Sequence, residues 1–173
     1  MNRPTIINLS TKVKCSLRMC RLLPGKADDD IFCELYETTI DAAVCHYEAL
    51  SYEWKQPPNS SIIYLDSQRH CIRPNLWLAL QALRTEEVPR VLWIDALCIN
   101  QQDILERNHQ VAMMGKSYGN AKRVLVWLGP AADDSDLVFQ YANKKLGYFR
   151  RPGRIPWDTV RHMLMRGYWS RAW

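Results

Sequence analysis

Glycine is scarce in this sequence. There are seven in 173 residues, and they form neither G-x-G-x-x-G nor G-x-x-x-x-G-K. The two glycine-rich loops that cradle nucleotide phosphates are therefore excluded. No apolar run reaches the roughly 18 residues that a membrane-crossing helix needs, so no span is expected. The N-terminus, MNRPTIINLS, lacks an apolar core followed by a small-residue cleavage site, and no secretory signal is expected. The six cysteines (Cys15, Cys20, Cys33, Cys45, Cys71, Cys98) contain no C-x-x-C pair, which removes zinc-ribbon and thioredoxin chemistry. Without a secretory signal they are expected as free thiols in a reducing cytoplasm. His46, His70, His109 and His162 show neither H-x-x-x-H nor H-x-x-E spacing, so no metal site is expected.

The composition that remains is ordinary for a globular domain, with 47% hydrophobic and 24% charged residues. A chain of this length can hide roughly 70% of its unfolded surface in one domain. The net charge of +5 is unevenly placed. Residues 144–173 hold eight Lys and Arg against one acid, Asp158. A basic tail of this kind fits nucleic acid, an acidic partner or a plain solvated surface. Aromatics spaced for base stacking are not evident, so nucleic acid is not the expected partner.

The patterning divides the chain. Residues 1–20 read as an N-terminal segment with weak order, and LLPGKADDD as a turn and loop. IFCELYE (31–37) alternates as a strand does, CHYEALSYEW (45–54) is a second strand, and SIIYLD with HCIR forms a hairpin. PNLWLALQALR (74–84) reads as a helix with Leu76, Leu80 and Leu83 on one stripe. RVLWID (90–95) and RVLVWLG (123–129) read as strands covered on both faces. Between them a helix over 103–121 is expected to turn Ile104, Val111, Met114 and Tyr118 inward. Two more helices follow, over 133–146 and 156–166. The alternation after residue 73 predicts an α/β fold: a β-rich lead-in, then a mainly parallel central sheet flanked by helices in three layers.

The chemistry concentrates in VLWIDALCINQQDILER (91–107), which places Asp95, Cys98, Asn100, Gln101, Gln102 and Asp103 within nine residues. Ligands of open α/β sheets sit beyond the carboxyl ends of the strands, and Asp95 falls at such an end. A buried, ionised and unpartnered carboxylate would cost several kcal/mol, so Asp95 needs a partner or a wet cleft. Two readings stand side by side. In one, Asn100 caps the helix with Asp103 three residues on, and Asp95 pins the loop backbone. In the other, the loop forms a polar pocket for a ligand with hydroxyls or phosphates, with Asp95, Asn100 and Gln101 facing it. Glu106 and Arg107 follow on the helix. Glu106 with Gln110 reads either as a solvated pair or as part of the site. Cys98 with His109 has the elements of a thiol nucleophile and base but no orienting third group. Ser51, Tyr52 and Trp54 form a second cluster: an edge strand with an aromatic lid, or a hydroxyl and an aromatic platform beside the Asp95 loop.

YEALSYEW, then LWIDALCINQQDILERNHQVAMMGKSYGNAKRVLVWLG, then YWSRAW follow the order and spacing of the fungal heterokaryon incompatibility (HET) domain, with RLLPGKADDDIFCEL as its usual lead-in. The resemblance covers about residues 21–173. Lys55 stands where the family usually has glycine, and the chain stops at Trp173, before the family's Gln-Glu pair. The resemblance implies a domain of fungal non-self recognition that signals or executes programmed cell death, working with protein partners or by self-association. The family also resembles TIR domains distantly, which adds a TIR-like fold and a second possibility, cleavage of NAD or a related nucleotide, with NAD as substrate rather than cofactor. In that case Asp95, Asn100 and Gln101 would hold ribose or phosphate, Trp54 would stack on a ring, and Ser51 and Arg107 would complete the binding set. Glu106, or the absent Glu, would be the acid. A third possibility is an inactive truncated remnant.

Overall fold

A computed structural model describes residues 16–54, 59–132, 134–146 and 157–170, with the backbone alone for 141–146. Seven strands run in chain order: β1 (Ser16–Leu22), β2 (Phe32–Thr39), β3 (Glu48–Tyr52), β4 (Ser61–Leu65), β5 (Gln68–Ile72), β6 (Arg90–Trp93) and β7 (Arg123–Trp127). The helices are α1 (Pro74–Leu83), α2 (Asp95–Cys98), α3 (Ile104–Gly119), α4 (Ser135–Leu146) and α5 (Trp157–Leu164), followed by a 3₁₀ turn at Gly167–Ser170. The strands form one sheet in the order β5-β4-β2-β1-β6-β3-β7.

The fold is α/β, but the sheet is mixed. β2–β4, β6–β3 and β3–β7 are parallel, whereas β1–β2, β1–β6 and β4–β5 are antiparallel. The expectation of a mainly parallel sheet is corrected here, and β1 is the reason. It lies in the middle of the sheet and runs against both neighbours. It also crosses the expected boundary at residue 21. Its Leu17, Met19, Cys20 and Leu22 are buried, with Arg18 and Arg21 between them.

The β4–β5 hairpin turns on Asp66 and Ser67, both at positive φ (50° and 64°). That is the geometry of a tight hairpin turn, reached without glycine. Asp tolerates it because its short side chain finds a local partner. Here Asp66 Oδ1 accepts from the Leu35 amide at 2.9 Å and ties the hairpin to β2.

β3 is buried along its whole length between β6 and β7. Its first residue, Glu48, accepts from Arg90 Nε (2.8 Å) and Nη2 (2.6 Å) on β6 and from Arg123 Nε on β7. This ion cluster stitches together the amino ends of the three parallel strands, opposite the end where Asp95 lies. The core gathers around Trp93, Tyr47, Tyr52, Leu50 and Leu92, with Leu76 and Leu80 of α1 packed into it as the stripe predicts.

Two further expectations change. Val124 and Val126 of β7 are 45% and 48% exposed, so this strand is an edge open on one face and not a doubly covered centre. On α3, Ile104 and Val111 face solvent while Gln110 and Ser117 are buried. Met114 and Tyr118 do pack against the core. The inner stripe tolerates polar groups because they have bonds to make. Gln110 Nε2 donates to the Ser16 carbonyl (2.9 Å), and Ser117 Oγ donates to the Met113 carbonyl (3.4 Å).

Candidate functional site

Three parallel strands end together, and the polar residues collect at that end. Ser51 and Tyr52 close β3, Trp127 closes β7, and Asp95 stands two residues past the end of β6. Asp95 is buried. Its Oδ1 accepts from Trp54 Nε1 (3.2 Å) and from the Ala96 amide (2.8 Å), and its carbonyl accepts from Gln101 Nε2 (3.0 Å). Asp95 thus has the partners its burial requires: the carboxylate pins the loop backbone at Ala96 and reaches Trp54, just past β3. The other face of the cluster is built by Arg73, whose guanidinium carbon lies 4.5 Å from the centre of the Trp54 ring. Trp54 is thus fixed at its edge by Asp95 and on one face by a cation, a stacking worth about 0.5–2 kcal/mol. Beside this trio opens a cleft of about 520 Å³ lined by Tyr52, Ser60, His70, Arg73, Ala96 and Leu97 among others.

Glu106 and Asn100 do not join that cleft. Glu106 Oε1 lies 3.4 Å from Arg18 Nη1 and accepts from the Asn100 amide at 2.9 Å. Arg18 Nη1 also donates to the Cys98 carbonyl (3.4 Å). Glu106 is half-buried in this arrangement, which corrects the solvated Glu106–Gln110 face. It lines a second cleft of about 580 Å³ with Arg18, Glu37, Cys98, His109 and Gln110. The two clefts share no lining residue, and Arg107 lines neither. Asn100 is not the helix cap. Asp103 is, accepting from the Leu105 (2.9 Å) and Glu106 (3.1 Å) amides. Asn100 instead closes its own turn, accepting from the Gln102 amide at 3.1 Å. The reason is spacing: α3 starts at Ile104, and a cap must sit one residue before the first helical one.

Cys98 and His109 do share the second cleft. Burial, however, pushes the Cys98 thiol up to about 12, with the Ile94 amide and Arg18 only partly offsetting it. A thiol held that high carries almost no thiolate at neutral pH, and the thiolate is the nucleophile. The described cysteines Cys20, Cys33, Cys45, Cys71 and Cys98 are all free. Among the described residues no group of His, Cys, Asp and Glu could hold a metal ion.

Sequence reasoning missed the partners that arrive from far along the chain. Ser51 Oγ and the Tyr168 hydroxyl, both buried, share a hydrogen bond of 2.9 Å. Gly167, next to Tyr168, is packed so closely on the Glu53 carboxylate that an added Cβ would overlap it. Arg166 donates to the carbonyls of Leu128 (3.2 Å), Pro130 (3.3 Å) and Ala132 (3.1 Å), holding the segment after β7. Asn75 bridges β3 and β7, donating to the Glu53 carbonyl (2.7 Å) and accepting from Trp127 Nε1 (3.0 Å). In the aromatic segment near the C-terminus Tyr168 is buried, whereas Trp169 is half exposed. Lys55, which stands where the family usually has glycine, lies outside the described residues. Tyr168→Phe is expected to cost about 1 kcal/mol, the ordinary net value of a buried hydrogen bond, read as a fall in the urea midpoint. Ser51→Ala on top of it should cost little more, because the same bond is already gone.

Three separated polar blocks of sequence thus meet at one end of the parallel strands of a mixed α/β sheet. That arrangement defines a class, an α/β domain assembled around the Asp95 loop, and the comparisons give it a family. The model of the heterokaryon incompatibility protein (HET) family matches residues 47–173, and the chain belongs to that family. It is similar to heterokaryon incompatibility protein 6, OR allele, of Neurospora crassa: 34% identical over 136 residues, covering 70% of this chain and 20% of the relative. The chain therefore spans about a fifth of that protein's length. No solved structure matches. Among the described residues no helix is long and apolar enough to cross a membrane.

Proposed function

We infer that this chain is a HET domain acting in fungal heterokaryon incompatibility, where it signals or executes cell death in the cytoplasm after fusion of unlike cells. Family membership carries the inference, with the named Neurospora relative beside it. The site adds physical support. Trp54 and Asp95, from two of the blocks that define the resemblance, hold each other at 3.2 Å, and Ser51 is held by Tyr168 of the third. Protein partners or self-association complete the reading, since a signal needs a receiver.

The test is inducible expression in a filamentous fungus. The wild-type chain is expected to arrest growth and kill cells. Asp95→Ala and Trp54→Ala should abolish killing at equal protein level, while Glu34→Gln, at the exposed Arg21–Glu34 pair, should not. Killing that survives both site changes would overturn the assignment of the site.

Cleavage of NAD or a related nucleotide is a second reading, favoured by one observation: the 520 Å³ polar cleft at the strands' carboxyl ends. Glu106 lines the other cleft, so in this reading Asp95 is the nearer acid. Nicotinamide release by the purified chain, lost in Asp95→Ala, is the expected sign. Silence in that assay leaves the signalling reading alone.

A further inference from the structure

We propose that the cleft beside Trp54 is a receptor for a phosphate-type oxyanion, gripped by Arg73 with His70, Ser60 and Asn59 around it. The inference begins with Arg73. Its guanidinium is stacked on Trp54, which is itself tethered to Asp95. A cation–π contact of this kind is made through the charge over the ring and consumes none of the guanidinium N–H donors. Among the described residues no hydrogen bond or ion pair uses those donors. Other arginines of this fold are fully engaged: Arg90 on Glu48 and the Leu83 carbonyl, Arg84 on three loop carbonyls, Arg166 on three more. Arg73 alone of these four is held in place by an aromatic ring with its donors unused.

The surroundings fix the sign of the ligand. His70, Ser60 and Asn59 line the same cleft, and no carboxylate does among the described residues. Asp95 stands behind Trp54 and turns its Oδ1 to the indole and to the Ala96 amide. α1 begins at this wall. Its cap position is Arg73 itself, with no side-chain cap and no acid in the first turn. Helix starts without an acid favour an external anion. A rigid guanidinium fork matches two oxygens of a phosphoryl group at once, and hydroxyl and amide side chains supply the remaining donors. The volume, about 520 Å³, exceeds a bare phosphate and accommodates a larger body attached to it. The site requires no glycine-rich loop, so the absence of one from the sequence does not count against it.

The proposal needs no bond cleavage: it shares its cleft with the nucleotide reading but holds whether or not anything is turned over there. It is tested with inorganic pyrophosphate, which has no glycosidic bond to break. Isothermal titration calorimetry of the whole chain should show one binding event. Arg73→Ala should weaken it by about tenfold or more, the usual loss for a hydrogen bond to a charged group. Arg73→Lys should recover part of the affinity, because it restores the charge without the fork. Arg69→Ala removes an equal charge from the exposed part of β5 outside the cleft lining and should change affinity less than twofold. Circular dichroism on each variant separates lost binding from lost folding, and Arg73→Gln serves if Arg73→Ala unfolds. A parallel arm uses phosphatidylcholine vesicles with and without phosphatidic acid. Arg73-dependent binding to those vesicles alone would keep the oxyanion chemistry and place its source on a lipid. Two results overturn the proposal: no Arg73-dependent binding in either arm at millimolar ligand, or equal weakening by Arg69→Ala and Arg73→Ala, which would reduce the effect to a general positive field.

Discussion

Glu48→Gln is expected to lower the stability of the domain by about 3 kcal/mol, a fall of about 1–2 M in the urea midpoint. Glu48 is nearly inaccessible and holds Arg90 on one neighbouring strand and Arg123 on the other. Removing one member of a buried pair leaves an uncompensated charge, which is why the loss exceeds the net worth of the bond. The low end of the usual range applies because Arg123 is well exposed and can turn to water. Arg90 cannot do so as readily, with its side chain 20% exposed. The pH dependence follows. Burial alone would raise the Glu48 carboxyl, but the hydrogen bonds and charges of Arg90 and Arg123 outweigh it and hold it below its ordinary value of 4.5. A carboxyl depressed in the folded state adds stability that is complete above the unfolded value and is lost as pH falls through the folded one. The gap between wild type and Glu48→Gln should therefore be full at pH 6–7 and shrink below about 4.5. A gap unchanged down to pH 3 would mean that Glu48 matters by its shape and not by its charge.

What could be read from the sequence was local. The hairpin, α1 with its Leu76–Leu80 stripe, and the apolar run ending at Asp95 all announce themselves within a dozen residues, and each stands where expected. What failed depends on distant neighbours. β1 hides because only Leu17 and Met19 alternate cleanly, after which Cys20 and Leu22 are buried as well. RVLWID and RVLVWLG have nearly the same composition. One became central and the other an edge, since an apolar run does not say whether a strand will arrive on its far side. The stripe of α3 was misread for a related reason. Gln110 looks solvated until β1 places the Ser16 carbonyl beside it. The site divides in the same way. Asp95 and its loop were legible, while the Ser51–Tyr168 bond joins residues 117 apart and the Trp54–Asp95 bond residues 41 apart. Arg73 carried no signal at all, because a single arginine before a helix proline looks like any other until a tryptophan lies across it.

Trp93→Ala should be among the most damaging single changes in this chain, at about 3–5 kcal/mol. That approaches the whole stability of an ordinary small domain, about 5–15 kcal/mol. Trp93 is fully buried at the end of β6, two residues before Asp95. Its ring meets Tyr118 of α3 edge-on, with centres 5.2 Å apart at 81°. The Tyr118 hydroxyl in turn donates to the Leu50 carbonyl of β3 at 3.3 Å. The one aromatic pair thus ties α3 to both strands that carry the Asp95–Trp54 site, and truncating it should loosen α3 as well as open a cavity. Hydrogen exchange of α3 amides should rise even where the variant stays folded. The informative contrast is Trp93→Phe. The Trp93 indole N–H is buried and has no hydrogen-bond partner among the described residues, and an unsatisfied buried donor costs about 1–3 kcal/mol. Phenylalanine removes that donor while keeping most of the ring, so the two effects oppose each other. The expected net loss is about 1 kcal/mol or less, measured by urea unfolding followed by circular dichroism. A loss for Trp93→Phe close to that for Trp93→Ala would show instead that the indole N–H is satisfied in solution and holds the end of β6 in place.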